Sequence, residues 1–370
     1  MTKVLFLTFI PSPYRLSFFE ELGKYCDLTV LFERSESKYR EGNWNSYEFN
    51  NYTGIILKGI TTRQQDKLCF GCAKYLLDRT FEIVILSNPF SPTGFFAATI
   101  LKLFKIPYIV ECDGAFPGNK VSFRTKLKGY VVKSAKLCMS TAALTDDYYQ
   151  ECGVLLDSIY RYPFSSIKDK DILLRPIDSY EKASIREALN IGNKLSIITI
   201  GRFVPGKGFD VLIDAAARFP NVNFYFIGGK ATEDYINQVD SLKLSNCFFL
   251  DFMPKENIFR WLKACDLFVL PTRSDVWGLV INEAMACGLP VISTDKCIAA
   301  LEMIDNRENG FVYHVDDKKE LFQDIAFIID RPERLYIMGM AAINVAHKFT
   351  IESMTHAHIQ AFDKFKSLLQ

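Results

Sequence analysis

LSIITIGRFVPGKG, residues 195–208, decides the fold of this chain. Its first six residues are apolar or β-branched apart from one serine and read as a buried strand. The run then breaks into three glycines and two cations, Arg202 and Lys207, before an apolar-periodic stretch opens at Phe209. A strand that passes through a glycine-rich turn into a helix is the opening unit of a parallel α/β domain. Downstream the rhythm continues with short apolar runs at 223–227, 247–250, 267–270, 290–293 and 310–313. Upstream, similar runs stand at 4–9, 28–32, 83–86, 108–111 and 137–140, several separated by helix-like segments. The alternation predicts open parallel sheets covered by helices on both faces. Between 167 and 193 the rhythm is lost in a Lys- and Asp-rich stretch that ends in a helical piece near 183–189. The expected organisation is a first domain over 1–170, a linker over 171–193 and a second domain over 194–348. A last helix over 349–370 lies beyond the final strand and is expected to pack back on the first domain.

Bulk properties narrow the class. In 370 residues, 49% are hydrophobic and 24% charged, which supplies two packed cores and no signature of disorder. A formal net charge of +1 gives no field for wrapping nucleic acid, so no nucleic-acid partner is expected. The ten cysteines are scattered, and Cys138, Cys265 and Cys287 sit inside apolar runs, so reduced buried thiols are expected. Cys69 and Cys72 form a lone C-x-x-C with no second pair and no nearby histidine, and read as structural. The apolar start stops at Pro11 without a small-residue cleavage site and reads as a first strand. With no apolar stretch of about 18 residues, nothing is expected to span a bilayer, and a cytoplasmic protein is expected.

Two segments carry chemistry. In 201–208, glycines let backbone N–H groups approach phosphate oxygens, while Arg202 and Lys207 can neutralise charge that grows as a phosphate leaves. The spacing nearly spells the P-loop pattern, but position 208 is glycine, without the hydroxyl that holds magnesium, and the strand at 224–227 ends in Gly228 rather than an acid. In 271–290, PTRSDVWGLVINEAMACGLP, two acids stand eight apart: Asp275 on a loop after a strand and Glu283 just over one turn into a helix opened by Gly278, Leu279 and Val280. The unpaired N–H groups of such a helix start attract phosphate, and carboxylates beside it accept hydrogen bonds from ribose and sugar hydroxyls.

The run 201–207, the segment 264–271, the stretch 275–290 and Asn309 to Val312 together resemble glycosyltransferase family 4 in order and spacing. The match covers the second half almost entirely and is weaker in the first, where the strand pattern and the loop 11–15 look similar. The resemblance implies a GT-B fold, two Rossmann-like domains with parallel sheets facing a central cleft. It also implies a retaining transfer from a nucleotide-diphosphate sugar, without metal or cofactor. Arg202 and Lys207 are then implied to bind the diphosphate, Glu283 the ribose hydroxyls, Asp275 the donor sugar, and the backbone at Phe252 and Met253 the base. This chain carries Asp275 where the family usually has glutamate, one methylene shorter, and Trp277 where phenylalanine is common.

The first half is expected to bind a glycan or lipid-linked acceptor. Many relatives place a histidine after a middle strand near the reacting centre, but the four histidines here are at 314, 347, 356 and 358. Glu111 and Asp113, after the strand at 108–111, are the candidates for a polar group near the acceptor hydroxyl. Tyr14 and Arg15 either reach the acceptor or donor phosphate, or merely start a helix with Arg15 solvated. Residues 122–136 form a basic amphipathic stretch, with Phe123, Leu127, Tyr130, Val131 and Ser134 at helical spacing and five cations around them. It reads as a surface for anionic membrane or as a core-packed helix with a solvated cationic face. Other readings are a phosphorylase- or epimerase-like enzyme, a catalytically silent membrane-bound partner, and a P-loop-type NTPase.

Overall fold

The computed structural model describes residues 1–35, 48–62, 66–118 and 123–370, with the side chains of all but 123–126. The chain divides into two compact units, Met1–Ser166 with Thr350–Gln370, and Ile167–Phe349. Each is built on its own parallel sheet.

Unit 1 contributes β1 (Lys3–Thr8), β2 (Asp27–Phe32), β3 (Thr53–Ile56), a small antiparallel pair β4 (Ile60–Thr61) and β5 (Lys67–Leu68), β6 (Ile83–Leu86), β7 (Ile109–Glu111), β8 (Leu137–Ser140) and β9 (Ile159–Arg161). Its main sheet runs β3-β2-β1-β6-β7-β8-β9, parallel throughout. Continuous apolar strands suit a sheet buried on both faces. On one face Phe6 meets Phe19 edge-on at 4.9 Å. On the other, Leu5, Leu7, Val84 and Val110 pack in one core with Ala97, Ala98 and Leu101 of helix Pro92–Leu103. That helix starts where it does because Ser91 accepts the Gly94 N–H (2.9 Å) and Pro92 fills its first turn. The edge strands β3 and β9 are three or four residues long and partly exposed, which is why no apolar run announced them.

Thr350 caps the last helix, Ile351–Ser367, through a reciprocal pair with Ser353. This helix packs against helix Pro13–Leu22, with the rings of Phe18 and His358 4.6 Å apart.

Unit 2 contributes β10 (Ser196–Ile200), β11 (Asn223–Ile227), β12 (Cys247–Leu250), β13 (Leu267–Leu270), β14 (Val291–Thr294) and β15 (Gly310–Tyr313), in the parallel order β12-β11-β10-β13-β14-β15. Helix Ser179–Ala188, inside the stretch expected as linker, is fastened to this unit. Lys182 and Arg186 both pair with Asp266 at 2.7 Å, and Arg186 also donates to the Ala264 carbonyl. No helix among the described residues is long and apolar enough to cross a membrane.

Candidate active site

In open parallel sheets, ligands bind beyond the carboxyl ends of the strands where the strand order reverses. In unit 2 that point lies between β10 and β13. The segment after β10 forms a three-residue 3-10 turn, Pro205–Lys207, closed by Gly208 at φ 67°. A Cβ at Gly208 would lie 1.9 Å from the Pro271 carbonyl oxygen, so only glycine lets this turn seat against the loop after β13. The turn gives Lys207 a fixed root, and its ammonium ion-pairs with the Asp275 carboxylate. Asp275 is itself held by its N–H to the Lys296 carbonyl (2.9 Å). Arg202 is exposed just after β10.

Gly278, at φ 100°, turns the chain into helix Leu279–Ala286, and a Cβ there would stand 2.6 Å from the Cys297 sulfur. Leu279, Val280 and Glu283 are half-buried in the first turns of this helix. The leading N–H groups of a helix have no carbonyl one turn back, so this end favours an anion. Trp277 is buried, donates its indole N–H to Asn282 (2.9 Å) and packs near Phe349, so the ring is part of the core of unit 2. Phe252 and Met253 lie in the loop after β12, two strands from β10, a spacing of about 10 Å.

In unit 1 the reversal falls between β1 and β6. A cavity of about 470 Å³ opens there, lined by Ser12, Tyr14 and Arg15 after β1, by Ser87, Asn88, Phe90 and Ser91 after β6, and by Asp66 and Asp113. Arg15 is not solvated: it is 2% exposed and bound on three sides. It donates to Glu111 (2.6 Å), to Ser87 (3.0 Å) and to Asp113. Tyr162 donates to the same Glu111 oxygen at 3.0 Å, and Tyr14 stands edge-on to Phe164 at 5.6 Å. A guanidinium clamped by two carboxylates is a structural keystone, because removing one partner leaves a buried charge uncompensated. Its side chain is therefore fixed within unit 1 by these partners while it lines the cavity.

The two carboxylates separate in acidity. Burial works against ionising Glu111, but the charges of Arg15 and His358 outweigh it and hold the group below the usual carboxylate range. For Asp113 burial dominates, and with the charge of Glu111 it outweighs the pull of Arg15, so this group is raised. Behind the cavity wall, Glu33 is buried and accepts hydrogen bonds from Ser91 (2.7 Å) and Asn88 (3.2 Å). Burial pushes it up to about 7.

Residues 181–345 match the model of the family described as glycosyl transferases group 1. The chain carries a group 1 glycosyltransferase domain. Over 317 residues it is 24% identical to an uncharacterized glycosyltransferase of Methanocaldococcus jannaschii, covering 84% of this chain and 85% of the relative. Over 281 residues it is 22% identical to the N,N'-diacetylbacillosaminyl-diphospho-undecaprenol alpha-1,3-N-acetylgalactosaminyltransferase of Campylobacter jejuni, covering 73% and 74%. Among solved structures, HepE of Anabaena in complex with UDP superposes with a TM-score of 0.78 at 19% identity, over 98% of this chain and 100% of that one. The fold is GT-B.

In unit 2 the structure brings Lys207 and Asp275 into contact and sets Arg202, Gly278 and Glu283 on the same strand ends. It joins Arg15, Glu111 and Asp113 in one network. Two participants escaped the sequence reading. No histidine falls within 1–170, yet the last helix returns His358, fully buried, to 3.5 Å from Glu111. Glu33 gave no signal because nothing in its neighbourhood in sequence names its partners, 55 and 58 residues away. In the basic stretch, Ser122 and the side chains of 123–126 lie outside the described residues. Of the remainder, Val131 is buried while Leu127 and Tyr130 are exposed, so the expected single face is split. Lys128 extends its ammonium over Phe90 and Tyr148 instead of presenting it outward. The Cys69 and Cys72 thiols are buried and free, and burial raises both.

Proposed function

We propose that the chain is a retaining, metal-independent glycosyltransferase that draws a hexosyl or N-acetylhexosaminyl group from a nucleotide-diphosphate sugar. The observation that carries this is the convergence, on the ends of β10 and β13, of Arg202, Lys207, Asp275 and the start of helix Leu279–Ala286. Two cations and a helix start beside one another suit a diphosphate, and two carboxylates suit sugar and ribose hydroxyls. In the reaction, the bond from the anomeric carbon to the phosphate oxygen breaks while the acceptor oxygen bonds to that carbon from the same side. The acceptor proton passes to the departing phosphate oxygen. Arg202 and Lys207 neutralise the charge that builds there, the work a metal ion does in other transferases.

The unit 1 cavity is proposed to hold the acceptor. Its hydroxyl, amide and carboxylate groups beside Tyr14 and Phe90 match the hydroxyls and apolar faces of a sugar. A lipid-linked acceptor at a cytoplasmic membrane face, for cell-surface glycan synthesis, is favoured by the name of the Campylobacter relative. Exposed Leu103, Phe104, Leu127 and Tyr130, with the Lys102 ammonium 3.7 Å from the Tyr130 ring, add a surface of the kind that settles on anionic lipid. A thermal-shift series with UDP, GDP and their sugars should show one base raising the melting temperature. Transfer from that donor should persist in excess EDTA, with the donor's anomeric configuration kept in the product. Loss of transfer in EDTA with recovery in magnesium overturns the metal-free mechanism, and an inverted product overturns retention.

A further inference from the structure

We infer that Arg273 is a positioning residue for the donor diphosphate, acting through the turn that roots Lys207; the inference rests on the donor reading above. Arg273 lies in the loop after β13, on the neighbouring strand to the turn it serves. Its backbone N–H donates to the Gly206 carbonyl (2.8 Å), and the hydroxyl of Thr272 donates to the same oxygen (3.0 Å). One guanidinium nitrogen donates to the Pro205 carbonyl (2.7 Å) and to one oxygen of Asp210 (2.9 Å), and the other terminal nitrogen to the second oxygen of Asp210 (2.6 Å). Its Nε donates to Asp316 (2.8 Å).

Four of the five N–H groups of a guanidinium are thereby committed to acceptors of this chain. Arg273 is consequently not a further phosphate ligand, although its charge and place in the loop would suit one. What it fixes is the pair of carbonyls immediately before Lys207. Within its own turn, the Pro205 carbonyl receives the Gly208 N–H at 3.2 Å, a long bond for the strain of a 3-10 turn. The Lys207 N–H also closes the turn on the Val204 carbonyl (2.9 Å), and the contacts from 272 and 273 brace it from the neighbouring loop. Asp210 sits in the first turn of helix Phe209–Arg218, so the same guanidinium also ties the helix start to the turn that precedes it. Lysine has a flexible four-carbon stem, and its ammonium can be placed against a phosphate only if its backbone is fixed. A misplacement of about 1 Å at such a group is enough to cost about 100-fold in rate.

The test is a double-mutant cycle on the full chain, read by calorimetry with UDP or GDP, whichever binds, and with the matching nucleoside monophosphate. Lys207→Ala and Arg273→Ala should each weaken the diphosphate about 10- to 100-fold, the range of a lost hydrogen bond to a charged group. Combined, they should lose less than about threefold beyond Lys207→Ala alone, because the second change acts through the first residue. The monophosphate should be affected far less by either. Arg273→Lys, which keeps the charge and a single contact, should recover part of the loss. If Arg273→Ala does not fold, Arg273→Lys and Arg273→Gln carry the same cycle. Losses that add in full, or that fall equally on monophosphate and diphosphate, overturn the inference while leaving the donor reading standing. If Lys207→Ala leaves the diphosphate unaffected, the donor reading itself fails and takes this inference with it.

Discussion

Asp275→Asn should bind free nucleoside diphosphate more tightly than the parent chain while transferring sugar more slowly. In the structure the Lys207 ammonium is occupied by the Asp275 carboxylate, with the two side chains 20% and 19% exposed. A diphosphate that uses Lys207 must first draw it off this partner. A hydrogen bond to a charged group contributes about 1.5–3 kcal/mol, and an exposed ion pair less than about 1 kcal/mol. For a pair about one-fifth open to solvent, a cost of about 1–2 kcal/mol follows, or about 5- to 30-fold in affinity. Asparagine keeps the volume and leaves untouched the backbone bond from residue 275 to the Lys296 carbonyl, so the loop should hold its shape. It removes the charge that restrains Lys207 and that would repel the incoming phosphates. It also removes the carboxylate assigned to a donor-sugar hydroxyl, hence the slower transfer. Calorimetry with UDP and GDP at low and moderate salt, beside a transfer assay, reads both effects. Glu283→Gln is the control, since its assigned partners are ribose hydroxyls and its diphosphate affinity should fall. Weaker diphosphate binding by Asp275→Asn would refute the reasoning, because the carboxylate would then be helping to hold the nucleotide instead of holding Lys207.

Stability should depend on Glu33 in a defined pH window. Its carboxyl is raised from 4.5 to about 7 in the folded chain, so the folded state binds the proton more tightly; that contribution is complete below about pH 4.5 and is lost as pH rises through 7. Glu33→Gln, which stays neutral, should therefore be more stable than the parent above pH 7, by up to about 3 kcal/mol, and the gain should vanish below pH 4.5. Urea unfolding of both proteins across this range checks it, and a gain independent of pH would show that burial of the charge is not the cause. For the exposed patch of unit 1, Lys133→Glu combined with Leu127→Ser should reduce sedimentation with vesicles containing phosphatidylserine. Each basic group near such a surface contributes on the order of 1 kcal/mol, and a reversed charge repels by a similar amount. Lys128→Glu should instead lower the melting temperature, because that ammonium packs over Phe90 and Tyr148; unchanged vesicle binding by the first pair returns the helix to a purely structural role.

Much of unit 2 was legible in the chain itself. Strands β10, β11, β13, β14 and β15 fall within a residue of where apolar runs bounded by Gly, Pro and Asp placed them. Buried parallel strands must be apolar on both faces and must end in turn chemistry, so one-dimensional pattern carries the information. Gly208 and Gly278 were legible for a related reason: the backbone there needs positive φ and close approach, and only one residue type supplies both. The donor residues lie within two short segments whose spacing is itself the signal.

Unit 1 was legible only as a set of strands. Its edge strands escaped because a strand half-open to solvent has no reason to be uniformly apolar. Its charged centre escaped for a deeper reason. Whether Arg15 is solvated or clamped depends on Glu111 and Asp113, 96 and 98 residues away, and the last helix adds His358, a further 247 residues beyond Glu111. Burial of a charge is decided by its partners, and no local pattern names a partner brought by another strand. Lys207 and Asp275 show the same division on the donor side. Their identities and their places at strand ends were written in the sequence, whereas their mutual contact across 68 residues exists only because β10 and β13 are neighbours in the folded sheet.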